Sequence, residues 1–200
     1  LAKKLGWTDV KCIEIAGAQG DQTTMDRMDG YREGVNAAGG EFLDGEVQYG
    51  QGVAENATSI MEGIMQRFPE GIAIICANND DMAQAAARTA AGNEAYKNTV
   101  FMGFDGTMSA CNSILKGEET MSVAQEPFEM GYKSVEAVMA AIEMQKAMPE
   151  VQFIVPRAGT IPKELIESKI KSSGLKATIT EGHNYDLFSV ADLALATSGT

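Results

Sequence analysis

GIAIICANNDDMAQAAARTAAGNEAYKNTVFMGFDG, residues 71–106, decides the fold. It opens on a short apolar run and continues from Asp81 to Ala91 with small apolar residues at helical spacing. It ends on a second apolar run, TVFMGFDG. Strand, helix, strand in that order is the unit of a parallel sheet. The same rhythm extends outward on both sides. VKCIEIAG precedes a helical pattern from Thr23 to Ala38, and GEVQYG precedes one from Ala54 to Phe68. Beyond the central stretch, TVFMGFDG leads to a helix from Ser109 to Leu115, and ETMSVAQ to one from Phe128 to Gln145. Ile60, Ile64 and Phe68 share one helix face, as do Phe128, Tyr132, Val135 and Ile142, so both stripes read as core. The expected fold class is α/β, a doubly wound and mostly parallel sheet.

Composition narrows the function. The 200 residues are 44% hydrophobic and 22% charged, an ordinary globular balance, with a formal net charge of −12 and no basic run. Nucleic-acid and anionic-membrane partners are thereby excluded, because phosphate surfaces demand a positive patch. No apolar segment is long enough to span a bilayer. The opening LAKKLG reads as the last turn of a helix begun earlier and closed by Gly6. Cys12, Cys76 and Cys111 have no paired spacing and read as buried, inert thiols. His183 is the single histidine, so neither a zinc site nor a histidine-based triad has the material it needs. No catalytic residue, metal or cofactor is expected.

In a parallel sheet, ligands sit beyond the carboxyl ends of the strands. The residues to read there are Gln19 to Arg27, Asn78 to Asp81, Asp105 to Thr107, and Gln125 to Glu126. Among them Arg27 offers a planar donor fork, Asp105 accepts from two adjacent hydroxyls, and the amides of Asn79 and Gln125 each donate and accept. A polyol hydroxyl does both, so this mixture satisfies it. Taken singly, each has a plainer explanation: a solvated charge for Arg27, a turn residue for Asp105, and helix capping for Asn79, Asp80 and Asp81. Their placement at one sheet edge is what favours a site. GDQTTMDRMDG fails the EF-hand spacing for calcium, and GAQGD has neither GxGxxG nor a P-loop lysine.

NNDDMAQAAARTAAG, VFMGFDGTMSACNSILKGE and MSVAQEPFEMGYKSVEAV, in this order, resemble the ribose-type sugar-binding proteins of ABC transporters, which have the periplasmic binding protein-like I fold. The resemblance runs from Leu1 to about Val155. It implies two α/β lobes that close on a monosaccharide like a hinged clam, without catalysis. Residues 1–125 would form the sugar-binding C-terminal-type lobe, 126–155 a helix and strand of the other lobe, and 156–200 a crossover and an atypical β-α-β tail. The family's binding arginine falls on Arg27, its asparagine on Asn79, its Phe-Asp pair on Phe104 and Asp105, and its crossover glutamine on Gln125. Its aromatic before the second helix falls near Gly52, where Tyr49 is the nearest ring.

The partners implied are a monosaccharide or polyol, the membrane permease of an ABC transporter and a missing N-terminal lobe. Without that lobe a fragment is expected to bind sugar weakly. The place implied is the periplasm or the cell exterior, free or lipid-anchored. VPRAGTIPKE reads as a linker, interrupted by Pro156, Gly159 and Pro162. KATITEGHNYDLFSVADLALATSGT reads as a further β-α-β unit, and its SVADLALATSGT is slightly similar to the lipid A disaccharide synthase type of glycosyltransferase. Two other readings are the effector domain of a LacI-type regulator, or of a sugar sensor, and a glycosyltransferase fragment.

Overall fold

The strand at Lys11–Ala16 (β1) organises the sheet in the computed structural model, which describes residues 1–150, 153–157, 163–174 and 176–181. After it come α1 (Gln22–Ala37), β2 (Glu41–Phe42), β3 (Gln48–Tyr49), α2 (Ala54–Arg67) and β4 (Ile74–Ala77). The chain continues through α3 (Asp80–Ala90), β5 (Val100–Asp105), α4 (Met108–Lys116) and β6 (Met121–Ala124). The strands lie in the order β2-β1-β4-β5-β6, β3 also pairs with β1, and every pairing is parallel. The chain thus runs outward from β1 on one side, then crosses back to β4 on the other. That reversal opens a crevice beyond the carboxyl ends of β1 and β4.

Alternation along β1 shows how both faces are covered. Ile13 and Ile15 point into one cluster with Met61 and Ile64 of α2 and Met82 of α3. Cys12 points the other way and packs with Met28 of α1, Phe42 and Cys76. A strand buried on both faces must be apolar at successive positions, which is why VKCIEIAG reads as one run. Ile13, Ile15, Met61, Ile64, Ile75 and Met82 are fully buried; each contributes about 1.5–3 kcal/mol through the area removed from water. The expected core face of α2 holds, with Ile60 and Phe68 packed against the cluster around Ile64.

Leu1–Gln125 forms one compact unit, and a second begins at Glu126. In that unit α5 (Pro127–Ala147) precedes β7 (Phe153–Arg157), α6 (Lys163–Ser173) and β8 (Ala177–Glu181), and β7 pairs with β8 in parallel. Pro156 lies inside β7 rather than in a linker. A two-stranded sheet is all edge, so the missing N–H of a proline can face away from the partner strand. The SVADLALATSGT segment and His183 lie outside the described residues.

Two expectations fail on packing. The α5 stripe is not core: Phe128 is 80% exposed, and Tyr132 and Val135 are exposed as well, because spacing makes a helix face apolar but only a packed neighbour buries it; only Ala141 of the helix is buried. Cys111 is exposed, unlike Cys12 and Cys76. Helix α4 buries Ala110 and Ser113, which leaves Met108, Cys111 and Leu115, spaced three and four apart, to water.

Candidate functional site

Helix caps set the directions of the loops that surround the crevice. Asp21 accepts from the Thr24 N–H at 2.8 Å and starts α1 directly after the β1 loop. Asn79 does the same for α3 through the Met82 N–H at 2.9 Å, and Thr107 for α4 through Ala110 at 3.2 Å. The first cap delivers Arg27 across the crevice. Its Nη1 donates to the Asn78 carbonyl at 2.6 Å, its Nη2 stands 3.6 Å from Asp105 Oδ1, and its Cζ lies 4.0 Å from the centre of the Phe104 ring. With a side chain 15% exposed, Arg27 is no solvated surface charge. Stacking on an aromatic face keeps the guanidinium plane fixed while its remaining N–H groups stay available.

Asp105 ends β5 at φ 113°, a left-handed value that a non-glycine residue adopts only when its surroundings hold it there. The next residue, Gly106, has φ 69°, and a Cβ on it would lie 2.6 Å from that of Ala124. A glycine lets the loop press onto β6. Gln125 locks Asp105 twice: its Nε2 donates to Oδ1 at 2.5 Å, and its backbone N–H donates to the Asp105 carbonyl at 3.2 Å. Burial raises the Asp105 carboxyl above its usual range, against the downward pull of Gln125 and Arg27, while Asp80 and Asp81 add to the rise.

Arg27, Phe104, Asp105 and Gln125 therefore form one cluster. Asn79, at the neighbouring strand end, has other partners: its oxygen caps α3, and its Nδ2 donates to the Gly52 carbonyl at 3.1 Å. Tyr49 pairs in register with Ala16 in β3, and Val53, beside Gly52, is an exposed apolar residue at the same edge. Among the described residues, Asp105 Oδ2 and Gln125 Oε1 accept no hydrogen bond, and one N–H of the Asn79 amide is unused. The edge thus offers both donors and acceptors. No group of three or more metal-ligating side chains occurs among the described residues.

Sequence reasoning missed the layer beneath. Asp80 is not the helix cap: Asn79 fills that role and Asp80 is fully buried. Its Oδ2 accepts from the Thr107 N–H at 2.7 Å, and its Oδ1 from the Ser122 hydroxyl at 2.5 Å. Tyr31 donates to the Ala77 carbonyl at 3.1 Å, bracing β4 from α1, and burial raises its hydroxyl pKa. Glu14 is buried and accepts from the Asn78 amide. Burial pushes its carboxyl up to about 8, opposed by Arg32 and by the Asn78 bond and reinforced by Asp29. The signal was present, since Glu14 is the one acid within the apolar run VKCIEIAG.

A family model described as the periplasmic binding protein domain matches residues 1–146. The chain belongs to this family. Its members are binding proteins rather than enzymes. The ribose import binding protein RbsB of Escherichia coli (strain K12) is 26% identical over 146 residues, 73% of this chain and 48% of that protein. This periplasmic binding protein domain thus spans about half the length of that relative. Its fold is shared with an ABC transporter periplasmic solute binding protein from Actinobacillus succinogenes 130z with bound D-allose. That likeness has a TM-score of 0.62 at 19% identity and covers 72% of this chain and 49% of the other. A lipid-A-disaccharide synthase of Gloeothece citriformis (strain PCC 7424) is 36% identical over 72 residues, only 19% of its own length. Among the described residues no helix is long and apolar enough to cross a membrane.

Proposed function

We propose that this domain is the ligand-facing lobe of a solute-binding protein that captures a neutral monosaccharide or polyol and hands it to the permease of an ABC transporter. The observation that carries this reading is the cluster in which Arg27 lies over Phe104 and reaches Asp105, while Gln125 holds Asp105 from the other side. Asp105 Oδ2 accepts from one sugar hydroxyl; Gln125 Oε1 accepts from a second, and the free N–H groups of Arg27 and Asn79 donate to others. Phe104 gives the apolar face of the ring a surface. A hydroxyl-rich ligand leaves few of these groups unpaired, whereas an apolar ligand would bury them without partners.

The relatives support the class: RbsB is named for ribose import, and the Actinobacillus protein is described with bound D-allose. Closure of a second lobe over the edge would desolvate these contacts, and the periplasm or the cell exterior is the place such a receptor works. The residues of the 126–155 segment would belong to that other lobe. Calorimetric titration of the full protein with D-ribose, D-allose and myo-inositol tests the reading. Saturable heat with at least one of them supports it, and no heat with any of them or with other pentoses and hexoses would sink it.

A further inference from the structure

Beneath the loop from Asp105 to Thr107, two carboxylates converge on one glycine. Glu119, between α4 and β6, is 1% exposed, and neither of its oxygens has a hydrogen-bond partner among the described residues. A Cβ on Gly103 would collide with both Glu119 Oε1 and Asp80 Oδ1, so the two acids reach into the same small space, which exists because residue 103 has no side chain. Two ionised carboxylates cannot share a buried space of this kind, whereas a single proton between them leaves one charge that hydrogen bonds can support.

That remaining charge is already supported. Asp80 Oδ2 takes the Thr107 N–H, and Asp80 Oδ1 takes the Ser122 hydroxyl, whose oxygen in turn accepts the Gly106 N–H at 3.0 Å. Asp80 therefore holds both amides that follow Asp105. The charged groups acting on Glu119 are Asp80 and Arg88, both from α3, one disfavouring and one favouring its ionisation. The two strands beside it present Gly103 and Ser122, which carry no charge, and among the described residues no cation pairs with Glu119.

We propose that Glu119 holds a proton directed toward Asp80 Oδ1, and that this proton makes Asp80 the positioning residue for Asp105. Loss of the proton to solvent leaves two carboxylates facing each other, drives them apart, and loosens the Gly106 and Thr107 amides that fix the left-handed conformation of Asp105. Burial first, and Asp80 second, push the Glu119 carboxyl up to about 7, so the change falls near neutrality. The consequence for binding rests on Asp105 being a ligand contact, as proposed above.

The amide signals of Gly106 and Thr107, followed by two-dimensional NMR on the sugar-free protein across the neutral range, test the proton directly. Both signals are expected to titrate together with a midpoint near 7 and to stop doing so in Glu119→Gln, or in Glu119→Leu should the amide variant misfold. In parallel, D-ribose affinity is expected to weaken several-fold from weakly acidic to weakly basic solution in the natural protein and to stay flat in the variant. Amides that do not titrate, or that titrate equally in the variants, overturn the proposal. So does thermal stabilisation by calcium or magnesium that Glu119→Gln abolishes, which would make the pair a metal site. Intact amide titration without any ribose binding counts against the ligand reading alone.

Discussion

Asp105 concentrates the strain of the edge, held at a positive φ by Gln125 and Asp80-anchored amides and faced by Arg27. Removing either side of this pair strips a charge-assisted contact, so Asp105→Ala and Arg27→Ala should each weaken sugar binding by about ten- to a hundred-fold by calorimetry. Arg27→Lys should rescue little, because a point charge neither stacks flat on Phe104 nor forks toward two acceptors. The two buried glutamates govern pH dependence. Their folded-state carboxyls sit at about 8 for Glu14 and about 7 for Glu119, above the ordinary 4.5. The folded state therefore binds more protons than the unfolded state between those values, and the stability they contribute is full below about 4.5 and lost as pH rises through 7 and 8. Melting temperature is expected to fall from weakly acidic to weakly basic solution, and Glu14→Gln should flatten the upper part of that fall. Arg27, Asp105 and Gln125 were legible as polar residues beyond strand ends, and Phe104 only through the family resemblance. Asp80 and Glu119 were not, since an acid in a first helical turn or a loop is usually solvated and only the neighbours decide that it is buried, whereas Glu14 stands out as the lone acid of the apolar run VKCIEIAG.

Helix α3 shows how one element serves both stability and the candidate site. Asn79 caps it and ties it to Gly52, so Asn79→Ala should cost about 1 kcal/mol in urea unfolding. Asn79→Asp keeps the capping oxygen and should recover most of that loss while still lacking the amide donor, which separates the cap from any ligand contact. The helices were readable within a residue or two of their observed ends: Thr23 to Ala38 became Gln22–Ala37, and Ala54 to Phe68 became Ala54–Arg67. Strand β2 was missed because two residues, Glu41 and Phe42, give no periodicity to detect. Its pairing with β1 comes from the sheet, not from local preference.

For the whole molecule, the decisive feature is the exposed apolar face of α5. Phe128 stacks on Tyr132 at 6.3 Å, yet both are exposed along with Val135, Val138 and Met139. The double change Phe128→Ser with Val135→Ser should alter stability by less than about 0.5 kcal/mol, the range of surface substitutions, whereas in a packed core each large-to-small change costs about 2–5 kcal/mol. Binding of a fluorescent apolar dye should fall at the same time. What the sequence by itself determined is the alternation of strands and helices, and with it the parallel sheet and the residues that stand at its carboxyl edge, because periodicity and strand order are local properties of the chain. What only the tertiary structure decided is which of those residues touch, which acids lose their water, and which apolar stripes find a partner, because burial and charge interaction depend on residues tens of positions away.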